Sequence, residues 1–191
     1  MPPRYLTAGL ALTWLAACGG GLPPGRTGAE IEALRLEARR IDKMPYTARA
    51  DLPTGSAHYR GGLYSGVTGD VDGVMAATVD LVVDFRGDRL GGGIENIDLT
   101  DREGEPVQAL GGRLVIVGVE DDGRLLGRAT GTLRGRGADG RRGTSDLSLG
   151  LNGRVRSGAS DGSAVHIDVG GQASGVLDFE LFDGVIAAEA R

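Results

Sequence analysis

The sequence predicts an all-β protein, a single antiparallel up-and-down β-barrel of about eight strands, and three observations lead to this class. From residue 55 onward, apolar and polar side chains alternate with a period of two, which is typical of strands with one buried face. Asp-Gly pairs, which tolerate the positive φ of tight hairpin turns, recur between these segments. The 35 glycines accompany only one Trp, four Tyr and three Phe, and alternating Gly and Leu on an inner face suits a small barrel.

The first 17 residues have the form of a signal peptide. Arg4 and the terminal amine make a short positive region, and the apolar run 6–17 is shorter than the ~20 residues that cross a bilayer. Cys18, the only cysteine, follows directly. The order Leu15-Ala16-Ala17-Cys18 resembles the lipobox of bacterial lipoproteins, whose cysteine receives a diacylglycerol and becomes the first residue after cleavage. An ordinary secretory signal is the alternative.

Lipidation of Cys18 implies a protein held at the bacterial outer membrane. Gly19 follows the cysteine, where an aspartate would resemble an inner-membrane retention signal. Each buried acyl CH₂ adds about 0.8 kcal/mol, so two or more chains anchor a protein stably. The choice between the cell surface and the periplasmic face stays open. With no other cysteine, the exported domain holds together by packing and without disulfides.

The segment before the barrel divides into a tether, a helix and a linker. Residues 18–27 are rich in Gly and Pro and are predicted to be a flexible tether. Thr27-Gly28-Ala29-Glu30 has the form of a capping box, and apolar residues follow at helical spacing, which predicts a short amphipathic helix over 28–43. Whether this helix plugs the barrel, flanks it or forms a partly ordered stalk stays open. Residues 44–54 are a linker, and 55–191 form the barrel.

Each predicted strand presents one apolar face. In the segment 74–85 that face consists of Met75, Ala77, Val79, Leu81, Val83 and Phe85. Segments that begin at Leu125, Leu147, Val165 and Gly175 repeat the pattern, and a short ninth strand is predicted at 185–189. The Asp-Gly pairs at 72–73, 122–123, 139–140, 161–162 and 183–184 are predicted turns. A sheet of this size loses its edges when it closes, and a β-sandwich is the alternative.

Several motifs resemble the β-barrel domain of the transferrin-binding protein B family. They are Ala57-x-Tyr59-x-Gly61 at the start, Leu81 to Phe85 followed by Leu90-Gly91-Gly92-Gly93, and Gly184 to Ala188 in the place of the closing strand. Over residues 55–191 the resemblance implies a lipid-anchored barrel that presents loops to a protein or a small solute. The chain has room for one barrel and no handle domain. Gly175 to Phe179 replaces the family's aromatic signature, so no transferrin-contact residue is carried over.

Composition argues against several function classes. An exported chain with a net charge of -5 and few aromatics is not expected to bind nucleic acid. His58 and His166, the only histidines, are far apart and at positions predicted to face solvent, so no metal or other cofactor is expected. The acidic segments 69–73 and 119–123 lack EF-hand spacing and are interpreted as hairpin turns. The sequence offers no nucleophile–base pair that would suggest an enzyme.

Arginines around the predicted turn at 136–144 are the main candidates for binding. A hairpin centred on Asp139-Gly140 places Arg134 opposite Asp146 and crowds its tip with Arg136, Arg141 and Arg142. At the opposite end of the hairpin, four further arginines are predicted to lie close to one another: Arg124, Arg128, Arg154 and Arg156. We hypothesise that the hairpin contacts an anion, which could be a lipid headgroup, a lipopolysaccharide phosphate or an acidic protein. A solvated polar face is the alternative.

The predicted function is an outer-membrane, lipid-anchored, non-enzymatic binding protein that holds a protein or a small solute. Its candidate loops are 66–73, 101–111, 136–144 and 157–163, and Tyr59 and Tyr64 are candidate aromatic anchors. The alternative is a structural envelope lipoprotein without a soluble ligand. A cavity inside the barrel would favour the first function and a filled interior the second. Inward-facing glycines leave this open: Gly92, Gly127, Gly131 and Gly153.

Overall fold

The computed structural model describes residues 25–157 and 163–191, which form one helix, one 3-10 turn and nine strands. The helix α1 is Gly28–Asp42 and the 3-10 turn is Arg49–Asp51. The strands are β1 Ser56–Gly69, β2 Gly73–Asp84, β3 Arg89–Asp101, β4 Pro106–Leu110, β5 Leu114–Asp121, β6 Arg124–Arg136, β7 Arg142–Ser157, β8 Ser163–Gly175 and β9 Phe179–Ala190. The predicted signal peptide, Cys18 and most of the tether 18–27 lie outside the described residues, as does the centre of the predicted loop 157–163.

Eight long strands close into an antiparallel barrel. Each pairs with the next of the eight along the chain, and β1 pairs with β9, so the order around the barrel is β1-β2-β3-β5-β6-β7-β8-β9. Closure satisfies the backbone groups that an open sheet would leave at its edges. The predicted all-β class and the up-and-down barrel of eight strands are therefore confirmed.

The additional strand, β4, is not one of the eight long strands that close the barrel. It pairs with the second half of β3, whereas β5 pairs with the first half. Gly111, between β4 and β5, bridges to Arg134 of β6, so β4 and β5 together take the place of one continuous strand. The predicted ninth strand at 185–189 is wrong, because those residues belong to β9. The additional strand instead lies within the predicted loop 101–111.

Asp-Gly pairs serve two purposes in this fold. At 122–123 both residues have positive φ, 48° and 80°, and they form the predicted turn between β5 and β6. The pair 183–184 is a β-bulge inside β9, where the pairing register slips against both neighbours, so the predicted turn there is wrong. Asp183 has a positive φ of 50° in this bulge, as Asp122 has in the turn, so the same dipeptide fits either. The pairs at 72–73 and 139–140 lie at strand connections, and 161–162 is outside the described residues.

Aliphatic side chains fill the barrel. The inner faces contribute residues with no solvent exposure: Leu63, Met75, Val79, Ile94, Leu114, Leu125, Leu149 and Ile167. The inward glycines give their space to neighbouring side chains. A Cβ on Gly131 would lie 3.1 Å from a methyl of Leu114, and one on Gly153 would lie 2.6 Å from Cγ1 of Ile167. Glycine therefore leaves room for inward side chains of the neighbouring strand.

Helix α1 lies on the outer surface of the barrel, against β1, β8 and β9. The predicted capping box is present: the Thr27 N–H donates to Glu30 Oε2 at 2.7 Å, and the Glu30 N–H donates to Thr27 Oγ1 at 3.4 Å. Ala38 and Ile41 are buried against outward alanines of β8 and β9. The helix predicted over 28–43 is confirmed as Gly28–Asp42, and it flanks the barrel.

Residues 43–55 form a strap across one end of the barrel, between α1 and β1. Tyr46 bridges to Arg156 of β7, Leu52 packs against the core, and the Gly55 carbonyl accepts from the Phe85 N–H at 2.9 Å. We call this end the strap end. The opposite tip end carries the β1–β2, β3–β4, β6–β7 and β8–β9 connections. Three of the four predicted binding loops therefore share the tip end.

Candidate functional site

The arginine-rich hairpin lines an open groove at the tip end, which we call the tip groove. Its volume is about 430 Å³ and its lining is mostly apolar. One wall is formed by Gln108, Ala109 and Gly111. The other wall comes from β6 and β7: Arg134, Gly135, Arg136, Arg142, Gly143 and Thr144. The groove exists because β4 and β5 interrupt what would be one continuous strand beside β6.

The register of this hairpin differs from the prediction by two residues. Arg136 lies opposite Arg142, and Asp146 lies opposite Thr132, whose Oγ1 donates to it at 2.6 Å. The predicted pairing of Arg134 with Asp146 is therefore wrong. The five-residue connection 137–141 centres the hairpin on Asp139 instead of on the Asp-Gly pair. One consequence is that two like charges face each other directly at the end of the strands.

The tip groove holds positive charge without a matching acid. Among the described residues, Arg134, Arg136 and Arg142 form no ion pair. The backbone of Arg136 is fixed by Gln108, whose amide donates to the Arg136 carbonyl at 3.0 Å and accepts from its N–H at 2.9 Å. Like charges opposed across strands are unfavourable without a partner, so an anion in the groove would relieve the repulsion.

The other predicted binding residues do not reach the tip groove. Arg141 lies at the hairpin tip, where it is 87% exposed and pairs with Asp139 at 3.5 Å. Tyr59 is buried inside the barrel with its hydroxyl 2.9 Å from Ser163 Oγ, and burial raises the pKa of that hydroxyl. Tyr64 packs against the cluster beneath α1. The structure therefore does not bring either tyrosine to the arginines.

A second arginine cluster fastens the strap and has its own aromatic partner. The guanidinium groups of Arg154 and Arg156 lie 5.1 and 4.1 Å from the ring centre of Tyr46. Arg156 also donates to Asp42 Oδ1 at 3.0 Å and to the Met44 carbonyl at 3.0 Å. These contacts join α1, the strap and β7. The sequence pattern groups the two arginines but not Tyr46, because strap residues have no periodicity that predicts their neighbours.

The two histidines occupy different environments. His58 is exposed on β1, as predicted. His166 points outward from β8 but lies under the end of α1, with its side chain 13% exposed and Nε2 3.8 Å from Asp42 Oδ1. Burial lowers the pKa of His166, against the opposing effect of Asp42 and Asp168. Its predicted solvent exposure is therefore wrong. In the part of the chain described, no three His, Cys, Asp or Glu residues form a metal-binding group.

The acidic segments stabilise turns. Asp72 accepts from Thr68 Oγ1 at 2.9 Å in the β1–β2 connection, and Glu120 accepts from the Gly123 N–H at 2.6 Å in the β5–β6 turn. Glu120 also lines an open cleft of about 1070 Å³ between the strap and this turn. Arg49 forms an ion pair with Asp122 at 2.8 Å, which offsets part of the negative charge that lines this cleft. This cleft is larger than the tip groove but has the opposite charge.

Comparisons with known proteins return no relative for this chain. No protein-family model, curated protein or solved structure matches it. The closed antiparallel barrel is compatible with a barrel lipoprotein. Among the described residues, no helix is long and apolar enough to span a membrane.

Proposed function

We propose that the protein is an outer-membrane lipoprotein, anchored through Cys18, whose barrel is a non-enzymatic binding module for an anionic ligand. The lipobox order and the Gly/Pro tether support the anchor. The observation that carries the binding role is the tip groove, where three arginines without an ion-pair partner in the described residues border a mostly apolar lining. The clustering of three predicted loops at the tip end supports a transferrin-binding protein-like use of that end.

The chemistry of the groove defines the ligand class. Guanidinium groups match carboxylate and phosphate in charge and geometry, and an apolar lining favours a hydrophobic portion beside the charged group. The proposed ligand is therefore a small solute or a protein segment that carries a carboxylate or phosphate next to an apolar group. Binding on the outside of the barrel follows from the aliphatic side chains that fill its interior.

A structural envelope lipoprotein without a soluble ligand is the second candidate. The filled interior favours it, since ligand-carrying barrels enclose a cavity. The two candidates share the anchor and differ in the tip groove. A direct binding measurement at the groove therefore separates them.

The anchor is tested by metabolic labelling with radioactive palmitate. We expect label in the parent chain and none in Cys18→Ser. Labelling of both chains, or of neither, would contradict the anchor. Shaving intact cells with protease, with a periplasmic protein as control, then determines on which side of the outer membrane the barrel lies.

The groove is tested with phenyl phosphate, followed by NMR at the amides of Gly135 and Gly143. We expect saturable shifts in the parent protein and at least tenfold weaker binding in Arg136→Glu/Arg142→Glu. The matched control is Arg39→Glu/Arg86→Glu, which makes the same change in net charge at exposed positions away from the groove. Equal weakening in both variants would show a net-charge effect. No binding by the parent protein would favour the structural candidate.

A further inference from the structure

Exposed apolar side chains concentrate on one side of the barrel. Within the residues that the structure describes, four of the seven exposed large apolar side chains lie on β4 and β5. Val115, Val117 and Val119 are 53%, 69% and 51% exposed and alternate along the outer face of β5. A single exposed valine is ordinary, but three in a row on one strand face make a continuous apolar strip.

The neighbouring strand adds positive charge to this strip. The outward row of β6 contains no acid and four arginines: Arg124, Arg128, Arg134 and Arg136. Val117 lies directly opposite Arg128, and Val119 opposite Leu126. None of the four arginines forms an ion pair with another described residue. We call the outward residues of β5 and β6 the valine–arginine face.

Few acids border the valine–arginine face. Glu95 of β3 pairs with Arg113 at 3.1 Å, Asp121 lies opposite Arg124 at the strap end, and Asp146 of β7 accepts from Thr132 Oγ1 of this face at 2.6 Å. The protein as a whole carries a net charge of -5, so a cationic surface is a local departure from its composition. Apolar side chains interleaved with arginine are the combination that binds anionic lipid surfaces.

The tether leaves the barrel beside this face. A Cβ on Gly25 would lie 3.4 Å from Asp98 Oδ1 of β3, and Arg26 holds the chain there through Thr78 Oγ1 at 2.6 Å and the Asn96 carbonyl at 2.8 Å. β3 is the strand next to β5. The distance along β3 from Asp98 to Gly93, which pairs with Val115, is about 17 Å.

The length of the tether limits how far this side can be from the membrane. Seven residues from Cys18 to Gly25 span at most about 25 Å. A diacylglycerol on Cys18 lies in the membrane surface, so Gly25 stays within that distance of it. Helix α1 covers β1, β8 and β9, around the barrel from β5. The tether thus leaves at β2 and β3, and the neighbouring side with β5 and β6 lies within its reach of the lipid.

We propose that the valine–arginine face rests on the anionic lipid surface to which Cys18 is anchored. Val115, Val117 and Val119 lie at the level of the headgroups, and Arg124 and Arg128 contact lipid phosphates. This orientation rests on the proposed lipid anchor and extends it by assigning the barrel a fixed side. It turns α1 and β9 toward the water and places the tip groove at the edge of the membrane surface.

The single cysteine permits a direct test. Because Cys18 is acylated in the proposed mature chain, Val117→Cys introduces a unique thiol, and Glu180→Cys on the outer face of β9 is the matched control. Each acylated variant is labelled with an environment-sensitive nitrobenzoxadiazole probe and inserted in vesicles of phosphatidylethanolamine and phosphatidylglycerol. We expect blue-shifted emission and quenching by spin-labelled lipid at position 117, and water-like emission without quenching at 180.

Charge reversal tests the arginines separately. Arg128→Glu in the Val117→Cys background should lower quenching at least twofold, whereas Arg39→Glu on α1 should leave it unchanged. A chain that takes up no palmitate overturns the anchor and this orientation together. An acylated chain whose two probes are both water-like, or both equally quenched, overturns the orientation alone. Circular dichroism of each labelled variant confirms the barrel before the comparison is made.

Discussion

At the scale of single residues, glycine determines how closely β1 and β9 approach where the barrel closes. A Cβ on Gly61 of β1 would collide with the carbonyl oxygen of Ala187 and lie 2.6 Å from Cα of Ala188, both on β9. Gly170 of β8 is different, since a Cβ there would meet no atom within 4 Å. The two positions look alike in the sequence, because alternation does not reveal which backbone lies alongside.

This contrast makes a stability prediction. Gly61→Ala should lower the free energy of unfolding by about 1–3 kcal/mol, the usual cost of forcing an extra methyl into a packed site. Gly170→Ala should leave stability unchanged or raise it by up to about 1 kcal/mol, because it restricts the unfolded chain. Urea denaturation of both variants measures the difference. Equal stability of the two variants would mean that β9 can move away from β1 at no cost.

His166 makes a prediction about pH. Burial under α1 lowers its pKa in the folded protein below the unfolded value of about 6.5, so the unfolded chain binds the proton more tightly. Stability contributed by the neutral form is complete above pH ~6.5 and falls as the pH drops toward the folded pKa. His166→Gln should flatten this part of the stability profile.

The control for this experiment is His58→Gln, because His58 is the only other histidine and its side chain is exposed. Chemical denaturation of the three proteins at a series of pH values from 7.5 downward gives the profiles. A profile for His166→Gln that is as steep as the parent's would show that carboxylates, and not this imidazole, set the acid sensitivity. Loss of the slope in His58→Gln would show that His58, and not His166, causes the pH dependence of stability.

At the scale of elements, the sequence predicts those that carry a strong local signal. The Thr27/Glu30 capping box and the period-two segments identify α1 and most strands. Strand β4 is missed because it has five residues, begins with Pro106 and pairs with only half of β3. The hairpin register is missed because it depends on the length of the connection 137–141, which turn composition does not determine. The tip groove depends on both of these features, so its shape could not be predicted.

We expect the stability of helix α1 to come mainly from packing of its buried residues on the barrel, and less from the intrinsic helix propensity of its sequence. Ile41 has no solvent exposure and packs with Ala38 on the outer wall of the barrel, whereas Leu36 is 57% exposed. Ile41→Ala should weaken the docking of α1 by about 2–4 kcal/mol, and Leu36→Ala should change it little. Amide hydrogen exchange within α1 measures the effect. Equal exchange in the two variants would show that the capping box and surface ion pairs hold the helix.

At the scale of the whole molecule, the barrel has a filled interior, and its arginine-lined groove and exposed apolar strip lie on the outside. The sequence predicts the closure but not the filling, because an inward glycine permits either a cavity or the close approach of another wall. In the structure, side chains such as Leu114 and Ile167 take that space. The tip groove and the valine–arginine face lie on one side of the barrel because β3, β5 and β6 are neighbours in the meander.

Closure makes a final prediction about the order in which backbone amides exchange with solvent. In an open sheet β1 and β9 would each have an unpaired edge, but here they pair with each other over most of their length. Amides that join these strands, such as those near Leu63 and Ile186, should therefore be protected as strongly as those of the long β6–β7 hairpin. Strand β4 keeps one side largely unpaired, so its outward amides near Val107 should exchange at least a hundredfold faster. Native-state hydrogen exchange followed by NMR compares the three groups in one sample. Rapid exchange between β1 and β9 would mean that the barrel opens there in solution, whereas protection of β4 equal to that of the ring would mean that its free side is covered in solution.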